Sequence, residues 1–170
     1  GAPRNQAIRD IVDKVSGVYG ENETGMPKED FENLLYHTGF HESGAIGGTP
    51  RASQGYLDST TGEWVTQGPA RSYWQVEPST LRDLVTARQG DMSTNPTSAY
   101  WGPEARRRTG HSAEDLYGMT DEQLSQLLEA NPSLGAVAAG GKYVKSMRNA
   151  PVNQVMDANE ELESIWNIPE

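Results

Sequence analysis

The sequence predicts a mainly α fold of the α+β kind, with helical segments flanking one small β-hairpin lobe. Three observations predict it. Apolar residues recur at the spacing of a helix face on both sides of the chain's middle. Eighteen glycines and ten prolines, densest between Gly39 and Pro103, predict a loop-rich centre. Within that centre, Gly55-Tyr56-Leu57 and Glu63-Trp64-Val65 flank Asp58-Ser59-Thr60-Thr61-Gly62, whose composition is that of a turn.

The elements follow in order. Ile8, Ile11, Val12 and Val15 give a first helix from Gln6 to Ser16, ended by Gly17 and Gly20. Pro27 suits the first turn of a second helix, and Glu29 and Asp30 complement its dipole; it runs to Glu42. The stretch from Ser43 to Pro69 is the hairpin or an irregular lobe. Glu77-Pro78-Ser79-Thr80 starts a helix to Arg88, with Leu81, Leu84 and Val85 on one face. After a loop through Asn95-Pro96, Thr120 and Gln123 form a capping box ahead of Leu124, Leu127 and Leu128. Asn131-Pro132 opens a helix through Leu134, Val137 and Ala138 to Met147, and Glu160 to Trp166 is read as a short final helix.

The chain of 170 residues suits a single domain with its own core, and no repeat at solenoid or propeller period occurs. With 24 acidic against 14 basic residues, a net charge of -10, it lacks the footprint of a nucleic-acid binder, and Arg106-Arg107-Arg108 does not reverse that. Without cysteine, disulfides and thiolate metal sites are excluded. No apolar run approaches the ~18 residues of a membrane span, and the opening Gly1-Ala2-Pro3 reads as a processed or trimmed start without a signal peptide. His37 and His41 stand at i and i+4, but His-Thr-Gly-Phe-His lacks the glutamate of an HExxH site, so no metal is expected. Phosphate-binding glycine loops and a GxSxG elbow are likewise missing, and no cofactor is expected.

On the second helix, Phe31, Leu35 and Glu42 fall within about 40° of one another at 100° per residue, with Leu34 beside them. A carboxyl on that buried stripe is expected to be partly desolvated, which favours the protonated form a general acid needs. A solvated or salt-bridged helix-end glutamate is the alternative from spacing alone.

Phe40-His41-Glu42-Ser43-Gly44, followed by Gly68-Pro69-Ala70-Arg71-Ser72-Tyr73-Trp74-Gln75-Val76-Glu77-Pro78-Ser79-Thr80, resembles the two leading motifs of the lysozyme and lytic transglycosylase superfamily. In that family a glutamate-serine pair ends a helix, and a segment of small residue, hydrophobic, glutamine, hydrophobic, x, proline, x, threonine lies across the cleft. The version here is similar to phage-encoded members. A third partial match runs from Leu127-Leu128-Glu129-Ala130-Asn131-Pro132 to Gly140-Gly141-Lys142-Tyr143, where Tyr143 is followed by Val144 and not by the family's usual asparagine. The resemblance covers residues 28–147, leaving 1–27 as an N-terminal helix and loop and 148–170 as a C-terminal extension.

The resemblance implies a lysozyme-like helical domain whose hairpin lobe follows the catalytic helix, with Glu42 as the catalytic acid. Gln75 either contacts the sugar through its amide or bonds loop backbone. Tyr143 takes the position of a substrate-binding aromatic. Ser43 bonds the glutamate or closes the helix. Tyr73 and Trp74, in an extended segment, face opposite sides; Tyr73 is assigned to the cleft and Trp74 to the core. Arg71 binds a substrate carboxylate or pairs with Glu77 or Glu42. Glu77 and Asp58 are the two choices for a second acid, which a hydrolase requires and a lytic transglycosylase does not.

The implied activity is cleavage of the β-1,4 bond between N-acetylmuramic acid and N-acetylglucosamine in peptidoglycan, by transglycosylation or hydrolysis. The implied setting is a phage virion, in its tail or internal core, acting in the host periplasm or cell wall beside other virion proteins. The competing reading is a virion structural or ejection component that keeps a lysozyme-like fold without catalysis.

Overall fold

Eight helices and one antiparallel hairpin make up residues 2–44, 51–86 and 100–149, the parts of the chain that the computed structural model describes. In order they are α1 Ala2–Lys14, α2 Glu21–Thr24, α3 Lys28–Glu42, β1 Ser53–Leu57, β2 Trp64–Arg71, α4 Pro78–Thr86, α5 Pro103–Thr109, α6 Ala113–Tyr117, α7 Asp121–Ala130 and α8 Pro132–Asn149. The fold is therefore mainly helical with a small two-stranded sheet, as the sequence predicts. The expected helix at Glu160–Trp166 and the end of the helix at Arg88 lie outside the described residues.

Helix α8 is the centre of the packing, touching α1, α2, α3, α4, α5 and α7. Its sequence explains how it serves so many neighbours: Leu134, Ala136, Val137 and Ala138 are all essentially buried, and small side chains let other elements approach its backbone. Gly140 and Gly141 admit Tyr19 most closely, with Phe31 and Leu84 beside it. A Cβ on Gly141 would lie 2.6 Å from the Tyr19 hydroxyl and one on Gly140 2.9 Å from its ring. That buried hydroxyl donates to Tyr100 O at 2.7 Å, with Val137 O at 3.2 Å, and burial, then Glu23, pushes its pKa far above the ordinary tyrosine range. Gly141→Ala is expected to displace this hydroxyl and lower stability by about 1–3 kcal/mol in urea denaturation; an unchanged midpoint would contradict the close fit.

Local chemistry accounts for most element ends. Thr120 accepts from the Gln123 N–H while the Gln123 side chain accepts from the Thr120 N–H, the capping box read from the sequence. Ser112 and Asp115 repeat the device at α6, and Gly102-Pro103 opens α5 before Gly110 closes it at φ 80°. Helices α5 and α6 escape a periodicity reading because each has two turns or fewer. The first helix begins at Ala2 and ends at Lys14, earlier at both ends than the expected Gln6 to Ser16.

The hairpin pairs Gly55 with Thr66, Tyr56 with Val65 and Leu57 with Trp64. Asp58 holds its turn: the carboxylate accepts from the Thr60 and Thr61 N–H groups at 2.7 and 3.0 Å. Between Ser53 and Gly55 the register breaks, because β2 makes a longer excursion through Gly68 at φ 98° before Ser53 pairs with Arg71. Strand β2 thus runs to Arg71, past the expected limit at Pro69.

Candidate functional site

An open groove of about 290 Å³, near the lower end of small-ligand clefts, is walled by α3, the turn before α4, the start of α4 and the later half of α8. Helix α3 supplies Leu34, Leu35, Thr38 and Glu42; the turn supplies Trp74, Gln75 and Val76; α8 supplies Ala138, Ala139, Lys142, Tyr143 and Ser146, with Thr80 from α4. Three residues singled out by the sequence, Glu42, Gln75 and Tyr143, therefore share one cavity although they come from distant parts of the chain.

Glu42 is the last residue of α3 and is exposed. This corrects the expectation of a desolvated carboxyl. The apolar stripe is real, since Phe31, Leu34 and Leu35 are buried, but its final turn runs out of the core and becomes the groove wall. Ser43 closes the helix: it is buried, its N–H donates to Gly39 O and its hydroxyl to Phe40 O, each at 3.1 Å. Its described bonds are structural and do not include the Glu42 carboxylate.

Gln75 sits in a tight turn, where an extended segment was expected. Arg71 and Val76 exchange backbone bonds of 2.9 and 2.8 Å around Ser72–Gln75, and Ser72 and Gln75 both adopt positive φ, 69° and 51°. Such backbone is costly for non-glycine residues and persists where the surroundings hold it. Here the Ser72 hydroxyl accepts from the Trp74 N–H at 3.1 Å and fits against Gly135, which has no Cβ to obstruct it. The Gln75 amide nitrogen donates to Ser72 O at 3.0 Å, and its amide oxygen has no donor among the described residues.

The turn leaves Trp74 in the core, as expected, but does not bring Tyr73 to the groove. Trp74 is 4% exposed and packs in the core, yet it also lines the groove, while Tyr73 is half-buried, meets Trp74 edge-on and does not line it. Alternation of sides holds for an extended strand, not for a turn with two left-handed residues. Trp74 is clamped to α3: its Nε1 donates to Leu35 O at 2.8 Å, and Gly39 makes room for the indole, since a Cβ there would stand 2.8 Å from Cε2. Tyr143 packs on Phe31 with ring centroids 5.8 Å apart, and burial raises its hydroxyl pKa.

The remaining residues are not brought to the groove. Arg71 pairs with neither Glu77 nor Glu42; its guanidinium donates to Gly68 O at 2.6 Å and Ala70 O at 3.0 Å and lies 3.5 Å from the Glu129 carboxylate. It braces the β2 excursion and ties it to α7. Glu77 accepts from the Ser79 hydroxyl at 3.4 Å at the start of α4. Asp58 remains in the hairpin turn, where the backbone N–H groups of Thr61 and Thr60 hold its carboxyl below the usual range. Glu42 is thus the one carboxylate lining the groove among the described residues.

Among the described residues no group of three potential metal-binding side chains occurs, and His41 is exposed while His37 packs against the Tyr36 ring. The groove also contains Lys142, Thr38 and Ser146, which sequence reasoning did not single out. Their only signal was helical spacing: Thr38 lies four residues before Glu42, and Ser146 four after Lys142. The chain matches no protein-family model, no curated protein and no solved structure.

Proposed function

We propose that this protein cleaves peptidoglycan glycan strands at the β-1,4 bond between N-acetylmuramic acid and N-acetylglucosamine, acting from a phage virion to open the cell wall locally. The observation that supports this reading is the shared groove of Glu42, Gln75 and Tyr143, the three positions at which the motif resemblance implies an acid, a cleft glutamine and a binding aromatic. The groove's mixture of apolar surface and neutral polar groups suits a sugar ring, whose faces are apolar and whose rim carries hydroxyl and acetamido groups.

A single carboxylate favours the transglycosylase route over hydrolysis. Glu42 protonates the bridging oxygen as the bond from the muramyl C1 to that oxygen breaks. The ionised Glu42 then takes the proton of the muramyl 6-hydroxyl as its oxygen attacks C1, closing a 1,6-anhydro ring and regenerating the acid. Trp74 and Tyr143 furnish aromatic surface, and the Gln75 oxygen accepts a hydrogen bond from an acetamido N–H.

Digestion of purified sacculi is expected to release muropeptides with 1,6-anhydro ends, detected by mass spectrometry. Reducing ends alone would replace the intramolecular route with hydrolysis, and intact sacculi would overturn cleavage altogether. The exposure of Glu42 favours one competing reading, a virion assembly or ejection component in which the groove no longer performs chemistry. Intact sacculi are the outcome that reading requires.

A further inference from the structure

The reaction described above leaves one charge in the groove unused. Lys142 lies on the α8 side, exposed, one turn before Ser146 on the same helix face. The chain has ten more acidic than basic residues, and four of its arginines find carboxylates: Arg71 with Glu129, Arg82 with Asp121, Arg107 and Arg108 with Glu104. Lys142 makes no ion pair among the described residues, and Glu42, which lines the same groove, is not close enough to form one. A cation in the groove with no ion-pair partner among the described residues is available to a ligand.

The neighbours on α8 define the kind of ligand. Ala138 and Ala139, one turn earlier, are too short to obstruct a substituent, while Ser146 adds a hydroxyl donor beside the ammonium. An ammonium on a flexible stem acts as a point charge and suits a single carboxylate that projects from a bulky ligand. On the α3 side, the Thr38 hydroxyl donates to Leu34 O at 2.8 Å and so does not compete as a donor for that anion.

We infer that Lys142, with Ser146 beside it, makes the groove select glycans that carry a carboxylate over neutral N-acetylated glycans. The inference rests on the glycan-cleaving reading and identifies which substituent that site recognises. Two sources offer the same chemistry: the lactyl carboxylate of a peptide-free muramyl residue and the carboxylates of a stem peptide.

The test uses the Glu42→Gln protein, with and without Lys142→Ala or Lys142→Arg, so that binding is measured without turnover. Three tetrasaccharides are titrated by calorimetry: neutral chitotetraose, a peptide-free muramyl glycan and the same glycan bearing stem peptides. With Lys142 present, a carboxylate-bearing glycan is expected to bind about three- to tenfold more tightly than chitotetraose, a preference that shrinks with added salt. Lys142→Ala should bring the ratio of dissociation constants close to one, and Lys142→Arg should restore most of it. Preference for the peptide-free glycan alone identifies the lactyl carboxylate, which the amide bond to a stem peptide removes; preference for the peptide-bearing one alone identifies the stem, and preference for both identifies a site that takes either carboxylate. A ratio unchanged by Lys142→Ala overturns the inference and leaves the glycan reading standing, whereas failure of all three glycans to bind overturns both.

Discussion

Glu42→Gln is expected to lower the rate of the proposed peptidoglycan cleavage by about 10²–10⁴-fold, the usual contribution of a positioned acid. Glutamine matches glutamate in size and can still hydrogen-bond the bridging oxygen, but it cannot hand over a proton and take one back. The position is exposed at a helix end, so the change is expected to leave stability within about 0.5 kcal/mol. Loss of activity with an unchanged melting curve would therefore report on chemistry. Glu42→Asp should fall between the two, because it keeps the acid but withdraws it by one methylene from the groove. Zymography and turbidity loss of sacculi measure this directly. Equal lysis by the wild type and Glu42→Gln would remove Glu42 from the mechanism.

Trp74→Ala carries the largest expected effect on stability, about 3–5 kcal/mol, set against a total of ~5–15 kcal/mol for an ordinary domain. The indole is buried, hydrogen-bonded to Leu35 O and fitted over Gly39. Its loss removes apolar contact, the bond and the clamp that holds the Ser72–Gln75 turn against α3. Because that turn forms one wall of the groove and α3 another, glycan binding is expected to weaken even at temperatures where the variant is folded. Trp74→Phe keeps most of the ring but lacks the N–H donor, and should lose about 1–2 kcal/mol. Urea denaturation followed by calorimetric titration of glycan separates the two effects. A loss below about 1 kcal/mol for Trp74→Ala would show that the turn is held by something other than this side chain.

The course of α3 and the stripe from Phe31 through Leu35 to Glu42 follow from residue spacing, yet spacing did not reveal that the stripe changes character along its length. At Phe31 it faces the core, at Leu35 it is buried yet borders the groove, and at Glu42 it faces open space in the groove. Periodicity reports the direction of a side chain about the helix axis and is silent on how far along that axis the neighbouring elements extend. The Tyr73 and Trp74 assignments turned on an assumed extended backbone. Two non-glycine residues at positive φ replaced it, and nothing in their identity announces that conformation; Ser72 needs Gly135, more than sixty residues away, to be accommodated.

What the sequence determined by itself is the set of structures whose interactions close within a few residues: the Thr120 and Gln123 capping box, the Pro27 and Pro132 helix starts, the Asp58 turn, and hence a mainly helical chain with one hairpin. Their partners are near neighbours in the chain, so residue type and spacing suffice. Only the tertiary structure decided which residues share a cavity. Glu42, Gln75, Lys142 and Tyr143 meet because Trp74 seats on Gly39 and Tyr19 seats on Gly140 and Gly141. Each of those fits joins positions more than thirty residues apart. Complementarity of that kind belongs to the packed molecule, since a glycine in a helix pattern signals only that something can come close, and the fold alone supplies what does.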